Sequence, residues 1–201
     1  MQFVVEYEIA AVILSLAVLF SFFRKKLVNT RLTRVFFLLI IEVILMSSVD
    51  LIAIIMNEHI TKENLWLCYA VNILYYLLNA GFSMIFYDCI RTSLSGNVRR
   101  NTFHRIRYFV PISVISIIIL SSPWTHAIFY FDSALKFRTG WGYLLMYVSA
   151  AIYLLSAVYK IILLRKEASR SQRYTVYFYI TMCVIAALVQ GMNRSLVIIG
   201  F

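Results

Sequence analysis

Long apolar runs, separated by short segments that hold nearly all of the lysine and arginine, leave this chain few ways to fold. A run of about 20 apolar residues is the length that crosses the hydrocarbon core of a bilayer as a helix, because backbone polar groups there must be satisfied within the segment. Reading for such runs gives spans near 4–23, 35–56, 65–90, 108–122, 141–164 and 174–190. The apolar ending SLVIIGF reads as the start of a seventh span from about 195, truncated at Phe201. Apolar residues make up 62% of the 201 and charged residues only 14%, against about half and a quarter in soluble domains. The expected fold class is therefore all-α, a polytopic helical membrane bundle forming a single transmembrane domain over residues 1–201.

Charge sets the orientation. Glu6 and Glu8 precede the first run and Arg24-Lys25-Lys26 follow it, the reverse of a cleavable signal peptide, so this run is expected to stay as an anchor. The segments 24–34 and 91–107 hold five basic residues each and 165–173 holds four, while the alternate segments share Lys62, Lys136, Arg138 and Arg194. Cytoplasmic loops retain positive charge, which puts the N-terminus outside a cell membrane that the chain crosses several times. The net charge of +10 is thereby assigned to membrane topology, and no nucleic-acid partner is expected. Lys160 lies close enough to Arg165 to snorkel to the same surface, the reading preferred over a Schiff-base lysine.

Motifs for soluble catalysis are missing: HExxH, GxSxG and GxxxxGK[ST] do not occur. Cys68, Cys89 and Cys183 have no metal-type spacing and are odd in number, and His59, His104 and His126 are scattered over loops and interfaces. No catalytic residue, metal or cofactor is expected within 1–201. What remains is polar residues inside the spans. Glu42 and Asp50 share the second span, roughly 12 Å apart along the axis and about 80° apart around it. Asn72, Tyr76, Asn79 and Ser83 recur at helical spacing on one face of the third span, and Ser149, Tyr153, Ser156 and Lys160 do so on the fifth. Such stripes must face protein, either joining helices by hydrogen bonds or lining a ligand cavity. Asp88 has Arg91 three residues on, an interfacial helix pair.

Depth narrows the ligand-binding candidates to Asp50, Asn72, Tyr76, Asn79 and Gln190, with Glu42, Ser83 and Tyr153 as secondary polar positions. Asp50 lies about 10 Å below the outer surface, and Asn72 and Gln190 come out at similar depths. An amide from either can satisfy a buried carboxyl, so Asp50 is expected to face the bundle interior within reach of Asn72 or Gln190. That group would floor an outward cavity roofed by the 126–140 loop.

The segment SSPWTHAIFYFDSALKFRTGWG is the longest outer loop, and its runs AIFYF and ALKFR flank the turn-prone pair Asp132-Ser133, so a short β-hairpin near 127–138 is plausible. Phe131, Asp132, Arg138, Gly140 and Tyr143 give an aromatic-Asp pair, a turn, Arg and Gly, then an aromatic-rich span. In this order the chain resembles, over nearly its whole length, the seven-helix N-terminal sensor region of bacterial histidine kinases and diguanylate cyclases. Here Thr139 separates Arg138 from Gly140, and Trp141-Gly142 stands where Gly-Pro is common in that family.

The resemblance implies a sensory input region in the lipid bilayer, answering an unknown small-molecule or membrane signal. It also implies an output domain beyond Phe201, a GGDEF diguanylate cyclase ahead of a histidine kinase, and a homodimer through the full-length protein. The competing reading is a small transporter or channel using Glu42, Asp50 and the Asn72 stripe as a path. An intramembrane enzyme ranks third.

Overall fold

The computed structural model describes residues 2–24, 31–95 and 102–163, together with the single positions 170, 174, 177 and 181. The expected sixth span, the start of a seventh, and with them Gln190 and Cys183, lie outside the described residues. Five helices occupy most of the described chain: α1 (Gln2–Arg24), α2 (Arg31–Glu58), α3 (Leu65–Ser95), α4 (Thr102–Thr125) and α5 (Tyr143–Leu163). Between α4 and α5 sit two short strands, β1 (Phe129–Phe131) and β2 (Phe137–Thr139).

Three helices among the described residues, α2, α3 and α5, are long and apolar enough to cross a membrane, fewer than the six runs read from the sequence. The apolar parts of α1 and α4, Ile9–Ser21 and Phe109–Thr125, are shorter. α1 to α4 run past the expected limits, while α5 stays within them. α4 begins at Thr102 and holds both Pro111 and Pro123 within it, whereas the sequence places them near the ends of a span over 108–122.

α3 is the centre of the bundle and packs on α2, α4 and α5, while α1 lies on α2. The buried side of α2 is a stripe through Val35, Ile40, Ser47, Asp50, Ala53 and Ile54, and that of α5 repeats strictly at Ser149, Tyr153, Ala157 and Ile161. Small residues at these contacts let helices approach closely, which in lipid replaces water exclusion as the source of association. Ala53 and Ala157 are accordingly almost fully buried. The opposite faces carry exposed leucine, isoleucine and valine throughout, as a lipid-facing surface requires.

Two packed clusters divide the interior. One joins Tyr87, Ile90 and Leu94 of α3 to Tyr153, Ala157 and Ile161 of α5. The other, at the hairpin end, joins Tyr69, Tyr76 and Ala80 of α3 to Ile115 and Ile119 of α4 and to Ile128 and Phe129 of the connection.

Candidate functional site

The connection between α4 and α5 is a β-hairpin, β1 paired antiparallel with β2 through Phe129 with Thr139, Tyr130 with Arg138 and Phe131 with Phe137. Asp132 builds its turn. One carboxylate oxygen accepts the backbone N–H groups of Ala134 and Lys136, each at 2.9 Å, and the other accepts the Arg138 Nε–H at 3.3 Å. Two further backbone bonds close the turn, Asp132 N–H to the Lys136 carbonyl and Leu135 N–H to the Asp132 carbonyl. The Lys136 amide, more than Arg138 or Ala134, holds the Asp132 carboxyl below the usual carboxylate range.

The hairpin is seated on the bundle by its roots and by its rings. At the root, the Gly140 N–H bonds the Ile128 carbonyl and the Gly142 N–H the Ala127 carbonyl, both at 2.7 Å. Gly140 passes so close to the preceding strand that a Cβ there would stand 2.1 Å from the His126 carbonyl oxygen and 2.2 Å from that of Ala127. Only glycine fits. The fully buried Ser122 hydroxyl accepts the Ile128 N–H at 3.2 Å and donates to the Ile118 carbonyl, tying the loop to the last turns of α4.

Phe129, with no exposed surface, stacks on Tyr76 at 5.3 Å and on Phe137 at 5.7 Å. Phe131 meets Tyr69 edge-on at 4.9 Å, and its N–H donates to the Tyr69 hydroxyl at 3.4 Å. Strand β1 therefore lies along the flank of α3. The loop does more than roof the bundle: Ile128 and Phe129 are inserted into it.

Asp50 is buried, 8% exposed, on the inward stripe of α2. The hairpin-end cluster also holds Tyr76, and Tyr143 packs against it. Those two rings are 6.3 Å apart, Tyr75 meets Tyr76 at 5.2 Å, and the Tyr143 and Tyr147 hydroxyls lie 3.3 Å from each other. Tyr75 and Tyr76 of α3 and Tyr143 and Tyr147 of α5 thus form one group of phenols at the hairpin end of the bundle.

Asn72 does not belong to that group. Its amide is committed to Asn57 by two reciprocal bonds, Asn72 Nδ2–H to Asn57 Oδ1 at 3.0 Å and Asn57 Nδ2–H to Asn72 Oδ1 at 3.3 Å, and it also donates to the Cys68 carbonyl at 2.8 Å. The two facing amides exchange one bond in each direction, a pairing that the depth estimate for Asn72 could not anticipate. Asn79 and Ser83 are half-buried and make no side-chain hydrogen bond among the described residues, so the polar stripe of α3 is divided between different neighbours.

Glu42 is half-buried against Gly81, where a Cβ would come 3.0 Å from its Oε1. Tyr153 belongs to the opposite cluster, 6.2 Å from Tyr87. Asp88 pairs across helices with Arg31 at 3.8 Å. Among the described residues no group of His, Cys, Asp and Glu gathers as a metal site.

The motif residues Phe131, Asp132, Arg138, Gly140 and Tyr143 all take part in this end of the molecule, as ring partner, turn builder, ion-pair partner, close-approach point and ring partner of Tyr76. Sequence reasoning missed Phe129, Tyr69, Asn57 and Tyr147. The run AIFYF carries a sign of the first, since a strand alternates its faces and Phe129 falls two residues from Phe131. Comparison with protein-family models, with curated proteins and with solved structures finds no match.

Proposed function

We propose that this chain is the sensory input region of a bacterial membrane receptor, with six spans, a seventh beginning near 195, and the N-terminus outside. In this reading the signal is taken up at the hairpin end, and the helices carry it to a cytoplasmic output domain, a GGDEF diguanylate cyclase ahead of a histidine kinase. The observation that carries it is the run of ring contacts from the hairpin into the bundle, Phe129 stacked on Tyr76 and Tyr76 edge-on to Tyr143, together with a carboxyl, Asp50, buried on the inward stripe of α2. A carboxyl inside a membrane bundle is expensive to keep and marks function by default.

The test is the full-length receptor with Asp50→Asn and Asp50→Leu. Asp50→Asn is expected to fold normally and to change the output response, and Asp50→Leu to damage both. An unchanged response in Asp50→Asn, or reproducible ion flux through the purified protein in liposomes, would overturn the receptor reading in favour of transport. Cysteine labelling in intact cells checks the orientation: a probe at position 134 is expected to react and one at position 97 to be protected.

A further inference from the structure

Both roots of the hairpin carry a tryptophan that turns away from the protein. Trp124, at the end of α4, is 74% exposed, and Trp141, just before α5, is 75% exposed. An indole has a large apolar body and one N–H donor, so it settles where hydrocarbon and polar solvent meet. Each of these two rings ends a line of exposed apolar side chains on its own helix, with Ile117 and Leu120 behind Trp124 and Leu144 and Val148 beyond Trp141. Past the tryptophans the exposed residues change to Ser133, Ala134 and Lys136. Lys136 has no ion pair among the described residues, whereas Arg138 is held by Asp132.

Height agrees with this placement. Strands of three residues rise roughly 10 Å, comparable with the headgroup layer on one side of a bilayer, about 5–8 Å thick. The inner side of the hairpin is bolted to α3 through Phe129 and Phe131, so its outer side is the surface left for a partner.

We infer that the hairpin lies in the lipid headgroup layer, with Trp124 and Trp141 at the hydrocarbon boundary, so that the partner of this face is the bilayer interface itself. The lipid-facing lines on α4 and α5 continue directly into it. The inference rests on the membrane reading above and deepens it: the hairpin that touches Tyr76 also touches lipid, which makes headgroup packing a signal available to the Asp50 region.

Quenching by brominated lipids tests this on the full chain in phosphatidylcholine vesicles. Two variants each keep a single tryptophan at a hairpin root, W66F with W141F and W66F with W124F. Bromine is carried on the acyl chain either near the headgroup or near the methyl end. Emission loss from both tryptophans is expected to be about twofold greater with the shallow than with the deep bromines. Equal or greater loss with the deep bromines, or loss to aqueous iodide alone, overturns the proposal. A third variant places a lone tryptophan by Ile117→Trp, with W66F, W124F and W141F. Deep bromines are expected to quench it most, and no quenching by either lipid would overturn the membrane reading itself, a result distinguishable from a misplaced hairpin.

Discussion

At the hairpin end, rings meet rings and backbone groups have named partners; at the opposite end, the buried cluster sets aliphatic side chains against two tyrosines. Tyr69, Tyr76, Phe129, Phe131 and Phe137 form an unbroken aromatic series, and Gly140, Gly142, Ser122 and Asp132 each hold the hairpin through hydrogen bonds. At the other end Ile90, Leu94, Ala157 and Ile161 fill the space between α3 and α5. The Arg31–Asp88 ion pair at 3.8 Å joins α2 to α3, and the buried Thr92 hydroxyl has no partner among the described residues. Stacked rings and fixed bonds allow one arrangement, whereas aliphatic packing tolerates repacking when volume is kept. In a receptor, the first suits a surface that must recognise and the second a helix pair that must shift.

The contrast breaks most readily at Phe129. Phe129→Ala removes a fully buried ring from between α3 and α4 and is expected to cost about 3–5 kcal/mol, measured by denaturation in detergent micelles. Leu94→Met, a volume-conserving change in the opposite cluster, is expected to cost under about 1.5 kcal/mol. Comparable losses would erase the distinction between the two ends. Gly140→Ala follows, at about 3 kcal/mol, because the backbone of 126–127 must move. Gly142→Ala meets only a 3.1 Å contact and is expected to cost about 1 kcal/mol or less, so the pair of alanines tells close approach from general helix effects.

Acid sharpens the comparison on a smaller scale. The Asp132 carboxyl is held below its ordinary range by the Lys136 amide above all. Its contribution is fully present above the unfolded carboxylate range and is lost as pH falls through the folded value. The protection of the Ala134 and Lys136 amides, measured against the intrinsic exchange rate at each pH, is therefore expected to fall in acid while that of Ile90 and Leu94 does not, and Asp132→Asn to remove the pH dependence. The smallest change is Thr92→Val. Removing an unpartnered buried hydroxyl is expected to leave stability unchanged or raise it by about 1 kcal/mol, and a clear loss would mean that the hydroxyl is used.

Much of the fold was legible because lipid imposes a simple rule on sequence. The long apolar runs of α2, α3 and α5 could only be helices, and the turn at Asp132-Ser133 was readable from residue type, since the Asp side chain supplies the acceptor that the turn needs. Of the stripe expected on α5, Ser149 and Tyr153 are buried, but Ala157 and Ile161 continue it where Ser156 and Lys160 were expected. The site was read less well. Depth along a helix placed Asp50 and Asn72 at one level, but a level is a ring of positions, and two residues on it need not touch. Asn72 met Asn57 because α2 and α3 run antiparallel from a short turn, and Asp88 met Arg31 for the same reason at the other end of that pair.

By itself, then, the sequence determined that the chain belongs in a helical membrane bundle, where its helices begin to be apolar, and that a hairpin joins α4 to α5. Tertiary structure alone decided that Phe129 goes down between α3 and α4, that Gly140 has no room for a Cβ, and that Tyr76 of α3 meets Tyr143 of α5. The physical reason is range. Hydropathy and turn chemistry act within a few residues and are written locally, whereas which ring stacks on which depends on how helices separated by dozens of residues cross, and no local pattern carries that.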